Sequence, residues 1–114
     1  MFQKILQGGS GGNSNVYNGT LETFQVVSGN TIKGILNCGF KPKYIAVVYK
    51  STRAGLLCCE YDNGAEYITY ARNDTSSQVF RTQTSGLFSI NNNGFEFTND
   101  YIDTTFGAIC NVSG

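Results

Sequence analysis

Acid–base chemistry in this chain would have to come from carboxylates, of which three lie close together. Glu60 lies at the end of one predicted strand, Asp62 in the turn that follows and Glu66 at the start of the next strand, so these side chains can approach one another. Two carboxylates are enough to hydrolyse a glycosidic bond. The chain contains no histidine, which excludes Ser-His-Asp and Cys-His arrangements, and no sequence feature raises the pKa of a carboxyl group. We therefore predict that the protein is not an enzyme and needs no cofactor.

The four cysteines, Cys38, Cys58, Cys59 and Cys110, also carry reactive side chains. None forms a Cys-x-x-Cys pair, so a zinc site would require all four to converge without the usual spacing. The pattern favours small buried apolar residues in a reducing cytoplasm, with a Cys38–Cys110 disulfide as the sharper alternative. Because Cys58 and Cys59 are adjacent in a predicted strand, they should point to opposite faces, one toward the core and one outward. No metal site is expected.

Tyrosines indicate binding rather than catalysis. The chain has seven tyrosines and no tryptophan, and a tyrosine ring with its hydroxyl suits both sugars and protein interfaces. Groups that can stack on a sugar and hydrogen-bond its hydroxyls are densest in residues 61–74. The candidate ligand or receptor residues are Tyr61, Asn63, Tyr67, Tyr70, Arg72 and Asp74. Half-buried strand tyrosines with polar loops, or contacts between subunits, are the alternative interpretations of the same residues.

The composition limits the class of protein. The 114 residues suffice for one compact domain, and 40% are apolar, whereas 14% are charged against the roughly 25% usual in soluble domains. Eight acidic and eight basic residues cancel, and no segment concentrates lysine or arginine, so nucleic-acid binding is not expected. No run approaches the roughly 20 apolar residues of a membrane span. A surface of uncharged polar residues is common where copies of a protein meet.

The first 15 residues differ from the rest of the chain. Phe2, Ile5 and Leu6 form a short apolar tip, and residues 8–15 (GGSGGNSN) have the composition of a flexible linker. The glycine-rich run lacks the Gly-Lys-Ser/Thr ending of a phosphate-binding loop, and the segment is too short for a signal peptide. We predict that residues 1–15 are a tethered tip that docks on a partner, and that residues 16–114 form the folded domain.

From residue 16 onward the apolar residues recur with the period of two that is typical of β-strands. Turn signals recur every 8–12 residues, and no stretch has a helical pattern. The most apolar run, residues 44–50, is predicted to be a central strand buried on both faces, and residues 78–82 a short edge strand. The predicted strands span residues 23–28, 31–38, 44–50, 56–61, 66–72, 78–82, 87–90, 95–98 and 105–112. This pattern predicts an all-β fold, an antiparallel two-sheet β-sandwich of jelly-roll or lectin-like type.

Two of the predicted turns lead directly into strands. Residues 38–45 (CGFKPKYI) contain Gly39 and Pro42, and residues 91–97 (NNNGFEF) contain Gly94 in a predicted hairpin. Glycine tolerates positive φ, and proline fixes φ and bars a helix. We expect Gly39, Pro42 and Gly94 to be structural turn residues. The nearby phenylalanines, Phe40, Phe95 and Phe97, are expected to be core anchors.

The order of these segments resembles a small β-sandwich module of bacteriophage tail and head fibres, with a layout similar to the H-type lectin-like sandwich. The matching pieces are residues 39–45, 93–97 and 106–109, and the resemblance covers roughly residues 22–112. The final strand departs from the pattern because it lacks the tryptophan or paired tyrosines often seen in such modules. The resemblance implies a structural or adhesive role in a virion, often as a trimer.

On this interpretation the protein is a bacteriophage virion structural protein, either a tail or baseplate fibre or a capsid decoration or head fibre. It would assemble in the host cytoplasm as a homo-oligomer, with a trimer expected, and dock to other virion proteins through its N-terminal tip. Its exposed loops would face solvent or a glycan on the host surface. The alternatives are a stand-alone carbohydrate-binding, lectin-like module and, third, a small hydrolase that uses only carboxylates.

Overall fold

The computed structural model describes residues 15–71 and 79–114, and this part of the chain forms ten β-strands. Each strand pairs antiparallel with its neighbours in one of two sheets. The strands are β1 (Val16–Leu21), β2 (Thr23–Ser28), β3 (Thr31–Asn37), β4 (Tyr44–Ser51), β5 (Gly55–Asp62), β6 (Ala65–Ala71), β7 (Val79–Thr84), β8 (Phe88–Asn91), β9 (Gly94–Asp100) and β10 (Ala108–Ser113). The predicted all-β, antiparallel two-sheet sandwich is therefore confirmed.

The two sheets differ in size. The larger has six strands in the order β1-β10-β4-β5-β6-β7, and the smaller has four in the order β2-β3-β9-β8. One face of each sheet packs against the other sheet. We call the opposite face of the six-stranded sheet, which carries Val48, Glu60 and Tyr67, the outer face. The strand predicted over residues 78–82 is observed as β7 at the edge of this sheet.

The core lies between the sheets and is built from alternate strand residues. Ile45, Val47 and Tyr49 of β4 are buried, and Phe95 and Phe97 of β9 meet them from the smaller sheet. The rings of Tyr49 and Phe97 lie with their centroids 5.4 Å apart. Burying each side chain of this size contributes about 1.5–3 kcal/mol, so the facing centres of β4 and β9 stabilise the sandwich most.

The prediction that residues 44–50 are buried on both faces is only partly correct. β4 is central, because it lies between β10 and β5. On its outer face, however, Ala46 is buried, Val48 is half-buried and Lys50 is exposed. An antiparallel sheet commonly packs one face on the core and leaves the other solvated, and no further layer covers this face in the described part of the chain.

Nine predicted strands are observed, mostly within two residues of the predicted limits, and one strand was not anticipated. β1 escapes prediction because Asn18-Gly19-Thr20 interrupts its apolar alternation. β10 begins at Ala108 instead of residue 105. The side chain of Asp103 accepts a hydrogen bond from the backbone N–H of Thr105 at 3.1 Å, and Gly107 has a φ of 69°, so the chain still turns at residues 103–107.

The three predicted turn residues lie at the ends of strands. Gly39, with a φ of 90°, and Pro42 connect β3 to β4, while Gly94 follows the β8–β9 turn and begins β9. A Cβ atom on Gly94 would overlap the carbonyl oxygen of Leu36 in the adjacent strand β3. This close approach of two backbones requires glycine. The predicted tip at Phe2, Ile5 and Leu6 lies outside the described residues.

Candidate interaction surfaces

The described members of the predicted recognition surface occupy different parts of the structure. Tyr61 lies on the core-facing side of β5, where its ring packs against Phe88 with 6.0 Å between centroids. Asn63 lies in the β5–β6 turn with a φ of 50°. Tyr67 lies on the outer face, so the structure does not bring it together with Tyr61. Arg72 and Asp74 lie outside the described residues, as does the side chain of Tyr70.

Tyr67 belongs to a network on the outer face that links four neighbouring strands. The guanidinium of Arg81 lies over its ring, 3.7 Å from the centroid, and the Nε atom of Arg81 donates to Oε1 of Glu60 at 3.2 Å. The hydroxyl of Tyr44 donates to Oε2 of Glu60 at 3.0 Å. Burial and the neighbouring Glu60 carboxylate raise the pKa of Tyr44 above its ordinary range. Both oxygens of Glu60 thus accept hydrogen bonds that join β4, β5 and β7.

The carboxylates that the sequence offers for hydrolysis do not converge. Glu60 lies on the outer face, whereas Glu66 lies on the other face of the same sheet, where Oε1 accepts the backbone N–H of Leu87 at 2.7 Å. Asp62 is exposed at the end of β5. Each of the two glutamates therefore holds a strand or a connection in place. That the protein is not an enzyme stays a prediction.

All four cysteines are free, so the alternative Cys38–Cys110 disulfide is not formed. Cys59 and Cys110 are fully buried, whereas Cys58 is half-buried on the outer face, which confirms the expected opposite orientation of Cys58 and Cys59. Burial raises the pKa of both Cys59 and Cys110 to about 12. These two thiols are therefore protonated at neutral pH. In residues 15–71 and 79–114, no three His, Cys, Asp or Glu side chains are placed to hold a metal ion.

The free energy of unfolding should depend on pH in the alkaline range because these two thiols titrate there. Their folded-state pKa values are raised from 9.0 to about 12, so their contribution is complete below pH 9.0 and is lost as the pH rises toward 12. In this range the free energy of unfolding should fall by up to about 1.4 kcal/mol per pH unit for each thiol. Urea unfolding at several alkaline pH values measures the fall. Cys110→Ala should make it shallower than in the wild type, and an identical pH dependence would contradict the assignment.

A buried polar contact that the sequence does not reveal joins the two sheets. Asn99 of β9 donates its side-chain amide to the hydroxyl of Tyr49 of β4 at 2.8 Å, and this hydroxyl lies 3.8 Å from Sγ of Cys59. Burial raises the pKa of Tyr49 well above its ordinary range. An unpaired hydroxyl at this depth would cost about 1–3 kcal/mol, so Asn99 favours one alignment of the sheets. Alternation alone marks Tyr49 as a core residue without indicating this partner.

The outer face carries an exposed apolar cluster, which we call the outer-face patch. It consists of Val48, Leu56, Phe106 and Ile109, the last three being 66%, 65% and 60% exposed. Cross-strand pairing places Ile109 beside Val48, and the ammonium of Lys50 lies 5.0 Å from the centroid of the Phe106 ring. Lys50 also pairs with Leu56 across β4 and β5. Sequence reasoning missed this patch because its members come from three separate segments.

An open cleft lies near the start of β4, at the opposite end of this strand from the outer-face patch. It has a volume of about 340 Å³ and is lined by Lys41, Pro42, Lys43, Tyr61 and Asn63. The β5–β6 turn is held against the β3–β4 connection by a hydrogen bond from the backbone N–H of Asn63 to the carbonyl of Lys43, at 2.8 Å. The lining residues combine two cations, an aromatic ring and an amide, and none of those described is acidic. Two residues of the predicted recognition surface thus line a common cavity.

Two of the three segments that carry the resemblance to phage fibre modules are in contact. The backbone N–H groups of Cys38 and Gly39 donate to the carbonyl of Asn93, at 2.8 and 2.9 Å.

Among the described residues there is no helix long and apolar enough to span a membrane. Comparisons with protein families, curated proteins and solved structures found no match. The resemblance to phage fibre modules therefore stays a prediction.

Proposed function

We propose that the protein is a structural component of a bacteriophage particle, in which copies of the sandwich associate through the outer-face patch. The patch is the observation that carries the proposal. Leu56, Phe106 and Ile109 are three of the five large apolar side chains that are strongly exposed in the described residues. Contiguous exposed apolar surface marks sites of association, whereas single exposed apolar residues need no explanation.

Association through this patch faces little electrostatic opposition. The chain has a formal net charge of zero, so copies do not repel one another at long range. Within the patch the nearest cation, Lys50, lies against the ring of Phe106, a contact that shields part of its charge. Each Å² of apolar surface that a second copy covers contributes about 25 cal/mol. The expected assembly is a trimer, as in the fibre modules that the sequence resembles.

The N-terminal segment supplies the link to the rest of the particle in this proposal. Asn15, the first described residue, accepts a hydrogen bond from the backbone N–H of Gly114 at 2.9 Å, beside β1 and β10. Asn15 therefore lies at one end of the sandwich. The tip formed by Phe2, Ile5 and Leu6 docks on another virion protein, and assembly takes place in the host cytoplasm. Neighbouring genes for capsid, portal or tail proteins would support this placement.

Light scattering of the purified chain tests the association. We expect a mass about three times the 12.4 kDa of one chain. Ile109→Lys should weaken the association by about a hundredfold, because an unpaired ammonium would be buried in the interface. Asn92→Lys is the matched control, since it adds the same charge at an exposed turn of the smaller sheet, outside the outer-face patch.

Two outcomes separate the parts of the proposal. A monomer in the wild type, or an unchanged mass in Ile109→Lys, would rule out association through the outer-face patch. A chain that lacks residues 1–15 should assemble with the same number of copies but fail to join the particle. Incorporation of the shortened chain into particles at the wild-type level would overturn the docking role of the tip.

The cleft favours a second candidate, a carbohydrate-binding module that works as a monomer. Tyr61, which is partly exposed, offers a ring for stacking on a sugar, and the exposed side chains of Asn63, Lys41 and Lys43 offer donors for its hydroxyl or acidic groups. Micromolar binding of a defined glycan by a monomer would favour this function. Asn63→Gly should weaken such binding and leave the turn intact, because glycine also accepts the positive φ at this position.

A further inference from the structure

One of the two edge strands of the smaller sheet, β2, has an exposed side. β2 pairs with β3 on one side only, and none of the other described strands lies along its second side. Five of its six residues are exposed, including Val26 at 72% and Val27 at 55%. The other edge of this sheet, β8, has only four residues. Among the described residues, β2 therefore presents a row of backbone groups without strand partners together with exposed apolar side chains.

Natural edge strands are usually protected against pairing with other chains. Charged residues, proline, shortness and bulges are the common devices. The sequence of β2, TFQVVS, contains no charge and no proline. Its single irregularity is a shift of register between Val26 and Ser28, which leaves the segment from Thr23 to Val26 regularly paired with β3. This regular segment is free to accept another strand.

The side chains of β2 suit an antiparallel copy of the same strand. Phe24 packs against the core, and alternation places Val26 on the same face, yet Val26 is 72% exposed. A twofold axis at Gln25 would set Phe24 of one copy opposite Val26 of the other. Aromatic and β-branched residues form favourable cross-strand pairs, whereas like charges placed opposite each other are unfavourable. In β2 no charges would meet, because the strand has none.

We propose that β2 is a second self-association site, at which two copies pair antiparallel and join their four-stranded sheets into one continuous sheet. The occupant is a second copy because the strand is self-complementary and because the net charge of the chain is zero. This surface is separate from the outer-face patch and does not depend on it. A contact of about five residues is small, so the pairing is expected to be weak between free chains and is best detected by covalent trapping.

Disulfide trapping tests this pairing directly. Opposed residues in an antiparallel pair have Cα atoms about 4.5–5.5 Å apart, within the range of about 4.4–6.8 Å that a disulfide requires. Gln25→Cys should therefore form a covalent dimer under mild oxidation, at least about tenfold faster than Asn92→Cys at an exposed turn. The wild-type chain run in parallel accounts for its native thiols.

Three further variants assign the dimer to β2. Adding Val26→Lys to Gln25→Cys should abolish the fast cross-link, whereas adding Val26→Thr, which keeps the β-branch, should preserve it. Adding Ile109→Lys should also preserve it, because the outer-face patch is a different surface. Cross-linking no faster than in Asn92→Cys, or unaffected by Val26→Lys, would overturn the proposal. So would cross-linking of Gln25→Cys to a different virion protein in place of a second copy.

Discussion

Replacing Phe97 with alanine is expected to lower the free energy of unfolding by about 3–5 kcal/mol. Phe97 is 1% exposed, and its ring lies between Tyr49 and Phe88, with centroid distances of 5.4 and 5.2 Å. Truncation removes buried apolar surface and leaves a cavity that the two paired sheets can close only in part. Urea unfolding followed by tyrosine fluorescence or circular dichroism measures the loss.

Phe106 provides the matched control for this change. It is the same residue type but is 65% exposed on the outer face, so Phe106→Ala should change stability by no more than about 0.5 kcal/mol. Phe97→Leu should fall between the two and remain measurable if Phe97→Ala does not fold. Equal losses in Phe97→Ala and Phe106→Ala would contradict the position of the core between β4 and β9.

Substituting Gly94 is expected to have the second largest effect. The Cβ atom of Gly94→Ala would overlap the carbonyl oxygen of Leu36 and approach the Cα atom of Asn37, both on β3. Because the obstacle is backbone in a paired strand, β9 must shift away from β3, and we expect a loss of about 3 kcal/mol. Chemical denaturation gives the value, and hydrogen exchange of β3 and β9 amides would show where pairing weakens.

The control for Gly94 is a glycine that has positive φ but open space. Gly29 has a φ of 55°, and an added Cβ would meet nothing within 4 Å. Asparagine tolerates this conformation, so Gly29→Asn should cost only a few tenths of a kcal/mol, well under about 1 kcal/mol. A loss in Gly94→Ala no greater than in Gly29→Asn would show that close packing does not select glycine at residue 94.

Local patterns were sufficient to predict most elements of the fold. The alternation in residues 31–38 and the Asn-Gly hairpin before Phe95 depend on neighbours in the chain, and β3 and β9 appear where these signals place them. The two core phenylalanines, Phe95 and Phe97, are also recognisable because they alternate with polar residues in a strand. Their burial, 0% and 1% exposed, confirms the expectation that they are core anchors.

The candidate surfaces were much less predictable. The sequence groups Tyr61 with Tyr67, but the β5–β6 hairpin pairs Tyr61 with Glu66. Tyr67 is the next residue along β6, so its ring lies on the opposite face of the sheet. The sequence also suggests that Glu60 and Glu66 could cooperate, whereas the structure directs them to opposite faces for the same reason. Of the described candidate residues, Tyr61 and Asn63 line a common cavity, which they share with the β3–β4 connection.

The all-β sandwich, most strands and turns, and the opposite orientation of Cys58 and Cys59 follow from the order of residues along the chain. These properties depend on alternation and turn chemistry within a few residues. Strand pairing across the whole domain places Ile109 beside Val48, brings Asn99 to Tyr49 and leaves β2 at an edge of the described strands. These contacts depend on the order in which distant strands pair, and many orders bury the same alternating apolar residues equally well. Local sequence therefore specifies the strands, and the packing of the whole chain specifies the surfaces.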